Sequence, residues 1–258
     1  MISRSSRVVH CVLAAVALLP CAQAGAVPAK AQAPAATRSV DQIVADFIAA
    51  SGGTSPWKKH KSLFMSMQLE VRGLGLTGTA TALWTNKGEY LETGDLPNML
   101  TMKRGGDGKR FWSQDPIDGL RWLSGAEAEQ ALTAGSWMGY LRLLDHTTGA
   151  KVVAAPAEKL ECIEVTYKAG APTTFCFDTT SHLLLLEQGK KASPQGDTPY
   201  TTRASDYRSF GGVMFPYTQE TTAGPATFVV TIVNATWDVP TKAAQFALPK
   251  PAKSASAK

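Results

Sequence analysis

Residues 63–72 read LFMSMQLEVR, and this stretch is the clearest indication of the fold. From Leu63 to Val71 every second residue is aliphatic or methionine, whereas from Ser66 to Arg72 the residues between them are polar. Side chains alternate between the two faces of a β-strand. The pattern therefore predicts a strand with one face in an apolar interior and the other towards water.

The chain around this strand predicts an antiparallel sheet. Gly73–Gly75 turns into a second strand over 76–85, and one face of it carries the small residues Gly78, Ala80 and Ala82. Further strands are predicted near 89–94, 98–104, 110–113, 150–155, 160–167, 173–178, 182–188, 201–210, 213–222 and 226–236. We expect an α+β fold in which about eleven strands curl around helices.

Two helices are predicted from their first residues. Ser39 is suited to cap a helix over 40–51, where apolar residues recur at helical spacing and two glycines follow. Ser124 and Glu127 match the S-x-x-E capping box, in which each side chain accepts a hydrogen bond from a backbone amide of the first turn. The second helix is expected to extend to Asp145 with an apolar stripe of Trp137, Leu141 and Leu144.

The first residues have the features of an export signal. A basic start precedes the apolar run Cys11–Leu19, and Ala22–Ala24 has the small-x-small pattern that signal peptidase recognises. The run is about half of the ~20 residues that a membrane-spanning helix needs. We expect a signal peptide over 1–24 that is cleaved near Ala24. Pro20 fits poorly before a lipidated Cys21, which favours free export over a lipid anchor.

The remaining chain is predicted to be one domain with two tails. Residues 25–38 are rich in Ala, Pro and Gln, and residues 250–258 consist of Lys, Pro, Ala and Ser. Such segments bury too little apolar surface to offset the entropy of ordering, which predicts a flexible linker and a disordered basic tail. Residues 39–249 are long enough to form one all-β or α+β domain.

The net charge of +5 does not indicate a nucleic-acid partner. Seven of the 26 basic residues lie before Asp41 or after Pro249, whereas all 21 acidic residues lie between Asp41 and Asp238. The predicted domain is therefore slightly acidic, and the positive charge belongs to the signal and the tails. Nucleic-acid-binding domains instead cluster their basic residues on the folded body.

Two cysteines remain after the predicted cleavage, Cys162 and Cys176. They fall on neighbouring predicted strands of one hairpin, and an exported protein meets oxidising conditions. We expect a cross-strand disulfide, and the alternative is a pair of unrelated core cysteines.

The sequence contains no complete catalytic or metal-binding pattern. His60, His146 and His182 lack the spacing of a zinc site. The stretch Gly135–Gly139 resembles a nucleophile elbow, but the glycine required two residues before the serine is Ala134. We expect no catalytic residue, no metal and no cofactor.

The strand over 63–72 suggests a ligand instead. Met65 and Met67 adapt to irregular apolar shapes, and the small Ala80 and Ala82 on the next strand leave room beside them. A helix bearing Trp137, Met138, Leu141 and Leu144 would cover this face and enclose an apolar pocket. The alternative is that these residues form an ordinary packed core.

Several short stretches resemble, in the same order, those of a known family. Asp107–Trp112, followed by Asp115–Pro116, resembles the D-G-K-x-L-W…N-P stretch of the periplasmic lipoprotein carrier LolA. Asp206–Arg208 with Gly212–Pro216 resembles the D-Y-R…G-V-x-F-P hairpin of outer-membrane lipoprotein-sorting relatives, and Phe246–Pro249 is similar to their ending. The resemblance to this LolA/LolB-like superfamily covers most of the predicted domain.

This resemblance implies an unclosed antiparallel β-barrel with helices covering its concave face. It also implies a periplasmic monomer whose cavity holds a lipid or the acyl chains of lipoproteins, with envelope proteins as further partners. The residues that we predict to line the cavity are Met65, Met67, Leu69, Ala80, Ala82, Trp84, Trp137 and Leu141.

The sequence departs from the family in one turn. The carrier has an Arg-Pro pair after its second strand, and that arginine helps to hold the helical lid closed, whereas residues 85–88 here read TNKG. Lys87 keeps the charge without the fork of donors, which argues against lipoprotein shuttling but not against the fold. Two alternatives to a carrier are an envelope-protein interaction module with a filled core and an enzyme built on this fold.

Overall fold

The computed structural model describes residues 38–249. The predicted signal peptide over 1–24, nearly all of the predicted linker and the tail over 250–258 lie outside the described residues. The domain boundaries drawn from the sequence therefore stay predictions. Within residues 38–249, no helix is long and apolar enough to cross a membrane.

The described chain contains two α-helices and thirteen strands. The helices are α1 (Val40–Ala50) and α2 (Gly125–Ala134), and single 3₁₀ turns lie at Trp57–Lys59, Gly139–Arg142 and Ala243–Gln245. The strands are β1 (Ser62–Arg72), β2 (Leu76–Thr85), β3 (Tyr90–Leu96), β4 (Leu100–Gly106), β5 (Phe111–Asp115), β6 (Gly119–Trp122), β7 (Thr147–Val153), β8 (Leu160–Tyr167), β9 (Thr173–Asp178), β10 (Leu184–Lys191), β11 (Thr198–Phe210), β12 (Val213–Ala223) and β13 (Ala226–Trp237).

All thirteen strands form one antiparallel sheet in the order β6-β5-β4-β3-β2-β1-β13-β12-β11-β10-β9-β8-β7. The chain therefore builds the sheet outwards from β1 to the edge strand β6, crosses over through α2, and starts again at the opposite edge with β7. It returns to the middle, where β13 pairs with β1. In this sheet β6 and β7 are edges, so the barrel is unclosed, and the predicted α+β class is confirmed.

The strand count predicted from the sequence was too low. The sequence predicted no strand between 113 and 150, whereas the structure has a tight turn between β5 and the four-residue strand β6. Asp115 forms this turn by accepting hydrogen bonds from the backbone amides of Ile117 and Asp118, at 2.9 and 2.8 Å. A strand as short as β6 shows no alternation that a sequence pattern could reveal.

Helix α1 begins as predicted. The Ser39 hydroxyl accepts from the Gln42 backbone amide at 3.2 Å, and the Gln42 side chain accepts from the Ser39 amide at 2.8 Å. Phe47 lies on the buried face of α1, with its ring centroid 5.0 Å from that of Phe177 on β9. The helix end approaches the β11–β12 turn so closely that a side chain on Gly52 would overlap the backbone there, which explains the glycine.

Helix α2 differs from its prediction at both ends. Ser124 makes no side-chain capping bond, and the Glu127 carboxylate accepts two hydrogen bonds from the Arg121 guanidinium, at 2.8 and 2.7 Å, instead of one from the Ser124 amide. A bidentate charged pair is stronger than a bond to one backbone amide. The helix also ends at Ala134 rather than Asp145, since the left-handed backbone of Met138, with φ 77°, interrupts the helical path.

The main core lies between the concave face of the sheet, α1 and the chain after α2. It includes Ile43, Phe47, Trp57, Leu63, Leu143, Ile163, Val165 and Phe177. The end of the described chain is held separately, because the Trp112 indole donates to the Phe246 carbonyl at 2.9 Å. The Phe246 side chain is itself buried.

The predicted disulfide between Cys162 and Cys176 is confirmed. The two residues are directly opposite each other on β8 and β9, and both are fully buried. They pack with Leu186 on the convex side of the sheet, so the bond ties together the strands next to the β7 edge.

Replacing both cysteines by alanine should lower the free energy of unfolding by roughly 2–4 kcal/mol, because the unfolded chain gains the freedom of the released loop. Urea denaturation of the parent and the double variant measures this difference. The parent in the presence of a reductant is the matched control and should lose a similar amount. An unfolding midpoint that neither change shifts would contradict a structural role for this bond.

Candidate functional site

A cavity of about 430 Å³ lies between the concave face of the sheet and residues 125–142, which we call the crossover segment. Its volume is within the range of roughly 300–1,000 Å³ that is typical of small-molecule sites. The apolar part of the lining is formed by Phe47, Trp57, Leu63, Met65, Met67, Met138, Leu141, Phe175, Phe215, Val230 and Ile232.

The space exists because small residues stand beside long ones on neighbouring strands. Met65 on β1 lies opposite Ala82 on β2, and Met67 lies opposite Ala80. On β3, the next residue in the row beside Ala80 is Gly94. Of these small residues only Ala82 lines the cavity, and its short side chain leaves space beneath the crossover segment.

Five of the eight residues predicted to line a cavity do so. They come from β1, β2 and the crossover segment: Met65, Met67, Ala82, Trp84 and Leu141. The methionines of β1 therefore lie on the concave face of the sheet, as the alternation in the sequence predicts.

The other three predicted residues lie outside the lining. Leu69 packs with Val71 and Leu96 in a separate cluster, nearer to the β1–β2 turn. Ala80 is half-buried beside the cavity. Trp137 is 7% exposed in the main core, with its ring edge-on to Trp57 at a centroid distance of 5.1 Å.

The sequence did not predict a polar cluster around Glu187 on β10. The Tyr140 hydroxyl of the crossover segment donates to one carboxylate oxygen at 2.6 Å, and the Tyr200 hydroxyl donates to the other. All three residues line the cavity. Glu187 was missed because an irregularity between Leu184 and Leu186 shifts the register of β10. Residues on the two sides of this shift therefore do not follow a simple alternation of faces.

Four tyrosines of the cavity are held in the neutral form. Burial raises the pKa of Tyr140, Tyr200 and Tyr167, and the nearby charge of Glu187 raises it further. Burial alone raises the pKa of Tyr207, whose hydroxyl donates to the Leu184 carbonyl. These phenols are therefore hydrogen-bond donors at neutral pH rather than bases.

A second, smaller pocket of about 150 Å³ lies between α2 and strands β3–β6. It shares Glu92 and Lys191 with the large cavity and adds Arg104. The Lys191 side chain remains accessible to water, but it stands inside the curve of the sheet, where surrounding protein weakens the solvation of its ammonium group. This loss of solvation, together with the positive charge of Arg104, lowers the pKa of Lys191 to about 8.

The crossover segment is hydrogen-bonded to both walls of the cavity. On one side the Trp84 indole donates to the Ala134 carbonyl at 3.1 Å. On the other, in addition to the bond from Tyr140 to Glu187, the Gln130 side chain donates to the Lys190 carbonyl at 2.6 Å. Its oxygen accepts from the Ala192 amide at 3.1 Å.

The histidines lie elsewhere. His60 contacts Asp238 at 2.7 Å and stacks on Trp237 at a centroid distance of 4.4 Å. Neither it nor His146 nor His182 lines the cavity. Across residues 38–249 the structure holds no group of three or more His, Cys, Asp or Glu side chains suited to a metal ion.

Comparison with known proteins identifies the fold through solved structures. No protein-family model matches the chain, and no curated protein matches it. A LolA superfamily protein from Nitrosomonas europaea matches with a TM-score of 0.55 at 9% identity, over 81% of this chain and 98% of that one.

Two further structures agree. One is described as a putative outer membrane lipoprotein-sorting protein domain from Vibrio parahaemolyticus, with a TM-score of 0.51 and 11% identity over 79% of this chain and 94% of that one. The other is a DUF1329 family protein from Desulfovibrio piger, with a TM-score of 0.51 and 12% identity over 81% and 97%. At such identities the likeness concerns the fold alone.

The raised pKa values of Tyr90, Tyr140, Tyr167, Tyr200 and Tyr207 predict how the protein responds to alkali. An unfolded tyrosine has a pKa of about 10. Folding therefore favours the protonated phenol, and this contribution to stability is complete below about pH 10 and is lost as the pH rises towards the folded pKa.

In an alkaline titration followed by tyrosinate absorbance and circular dichroism, these five tyrosines should ionise together with unfolding. Ionisation of all five near pH 10 in a protein that remains folded would show that these five hydroxyls are solvated and would contradict their burial.

Proposed function

We propose that this chain, which has the fold of the LolA superfamily, is a periplasmic carrier that binds a lipid or another acyl-bearing ligand non-covalently. The observation that carries the proposal is the cavity of about 430 Å³ with apolar walls under the crossover segment. Each methylene that leaves water for such a site contributes about 0.8 kcal/mol. The apolar walls can therefore supply most of the binding energy for an acyl chain.

The size of the cavity suits one chain. A volume of about 430 Å³ lies in the lower half of the range of roughly 300–1,000 Å³ that is typical of small-molecule sites. This corresponds to a single long acyl chain rather than to several. It agrees with the departure from the carrier pattern at Lys87, and we propose lipid binding without lipoprotein shuttling.

Entry of the ligand would require the crossover segment to move. The family resemblance leads us to expect an arginine in the β2–β3 turn that holds the crossover segment. Lys87 stands there instead, and its side chain is exposed. The bonds from Trp84 to Ala134 and from Tyr140 to Glu187 would hold the segment closed instead. Both can break and form again without chemical change, as a reversible lid requires.

The cavity favours this function over the two alternatives. A protein-interaction module with a filled core would have no space between the sheet and the crossover segment. An enzyme would need a general base or nucleophile facing the substrate. The tyrosines in the cavity instead have raised pKa values, and two of them occupy both oxygens of the Glu187 carboxylate.

Changing Met67 to Arg should abolish binding of a neutral fluorescent acyl probe, because it places a charge in the apolar lining. Gln68→Arg is the matched control, since the neighbouring side chain is exposed on the opposite face, and it should bind like the parent. Probe fluorescence measures binding, and circular dichroism with thermal unfolding checks the fold. If Met67→Arg does not fold, Met67→Trp is the second variant, because its indole ring fills cavity space without adding a charge and should also weaken probe binding. Normal probe binding by a folded Met67 variant would refute the cavity as the binding site.

Changing Tyr140 to Phe should accelerate release of the same probe by about tenfold, because it removes one hydrogen bond to a charged acceptor at the edge of the cavity. Tyr217→Phe is the control, since this tyrosine is not part of the cavity lining. Stopped-flow dilution of the loaded protein measures the release rate. Equal rates for the Tyr140 variant and the parent would show that this bond does not hold the crossover segment closed.

A further inference from the structure

Two basic side chains from distant parts of the sequence meet where the two cavities join. Arg104 on β4 and Lys191 on β10 both line the smaller pocket, and Lys191 also lines the apolar cavity. Since β4 and β10 are seven positions apart in the sheet, only the curl of the sheet brings them to one place. Two like charges repel, and the lowered pKa of Lys191 reflects this repulsion as well as burial.

Most carboxylates around this pair already have partners. Glu127 and Asp118 contact Arg121, and Asp115 accepts hydrogen bonds from backbone amides. Glu187, four residues before Lys191, is engaged by two tyrosine hydroxyls. Within the described part of the chain, none of these acids forms an ion pair with Arg104 or Lys191.

Glu92 and Glu129 are the remaining acids nearby. Glu92 lies directly across from Arg104 on β3, and Glu129 lines only the larger cavity. Among the ion pairs of residues 38–249, none includes Arg104, Lys191 or Glu92. Among the described residues that line the smaller pocket, Arg104, Lys191, Glu92 and Asp115 have no ion-pair partner, and the two cations are the groups that can hold an anion beside the apolar cavity.

From this juxtaposition we infer that the ligand is a single-chain anionic amphiphile, whose carboxylate or phosphate group is held by Arg104 and Lys191 while its chain fills the cavity. The inference rests on the proposed lipid-binding function and specifies its ligand class. The guanidinium of arginine can donate two parallel hydrogen bonds to a carboxylate or phosphate, and an ammonium adds a point charge. An anion between the two groups would also relieve their mutual repulsion.

The test compares two ligands that differ only in the head group. Dodecanoate and dodecanol are titrated against the protein loaded with a neutral fluorescent acyl probe, and displacement gives their affinities. The parent should bind dodecanoate at least about tenfold more tightly, the difference expected for one charge-assisted hydrogen bond. Acetate at the same concentrations should displace nothing, because the chain is needed for binding. Displacement by acetate would overturn the amphiphile in favour of a free anion.

The double variant Arg104→Gln/Lys191→Gln should bind dodecanoate and dodecanol alike, with its affinity for dodecanol unchanged. The control is Lys103→Gln/Lys190→Gln, which removes the same charge from the exposed neighbours of these residues on the same two strands and should keep the preference. Should the double variant not fold, Lys191→Gln alone, at a solvent-accessible position, should lose part of the preference.

The outcomes separate this inference from the proposed function. If the parent binds neither ligand, the proposed function fails. If the parent binds both equally, or if the Arg104 and Lys191 variants keep the preference, the anionic head group is wrong while the apolar cavity stands. An equal loss in the Lys103/Lys190 control would assign the preference to overall charge and overturn the site.

Discussion

The concave face of the sheet is apolar and must be shielded from water, and the arrangement of the rest of the molecule depends on this requirement. Thirteen strands in one unclosed sheet cannot cover that face by pairing alone. The chain covers it with α1 on one part and with the crossover segment, residues 125–142, on another. This cover does not fill the whole space above the sheet, and a cavity of about 430 Å³ remains between the sheet and the crossover segment.

The cavity is not uniformly apolar, and the placement of its polar groups follows from their cost. A polar group away from water is tolerated when it is hydrogen-bonded. Accordingly, the Glu187 carboxylate has two tyrosine donors. Lys191 is placed where water still reaches it. Along β10 the interior therefore passes from the Glu187 cluster to Lys191, where the larger cavity meets the smaller pocket.

The parts of the fold that the sequence predicted are those set by local rules. The alternation in β1 placed Met65 and Met67 on the concave face, Ser39 capped α1, and the hairpin spacing of Cys162 and Cys176 allowed their disulfide. What the sequence could not predict depends on contacts between distant residues. Arg121 captures the Glu127 carboxylate and leaves the expected capping box unformed. The register shift within β10 and the meeting of Arg104 with Lys191 likewise appear only after the sheet has curled.

The most direct test of the account is native mass spectrometry of the mature protein, purified from the periplasm without detergent. The carrier function predicts a reproducible mass in excess of the polypeptide, which extracts into organic solvent as an acyl lipid. A bare polypeptide mass, together with no uptake of an acyl probe, would contradict the account and favour a module that binds another envelope protein.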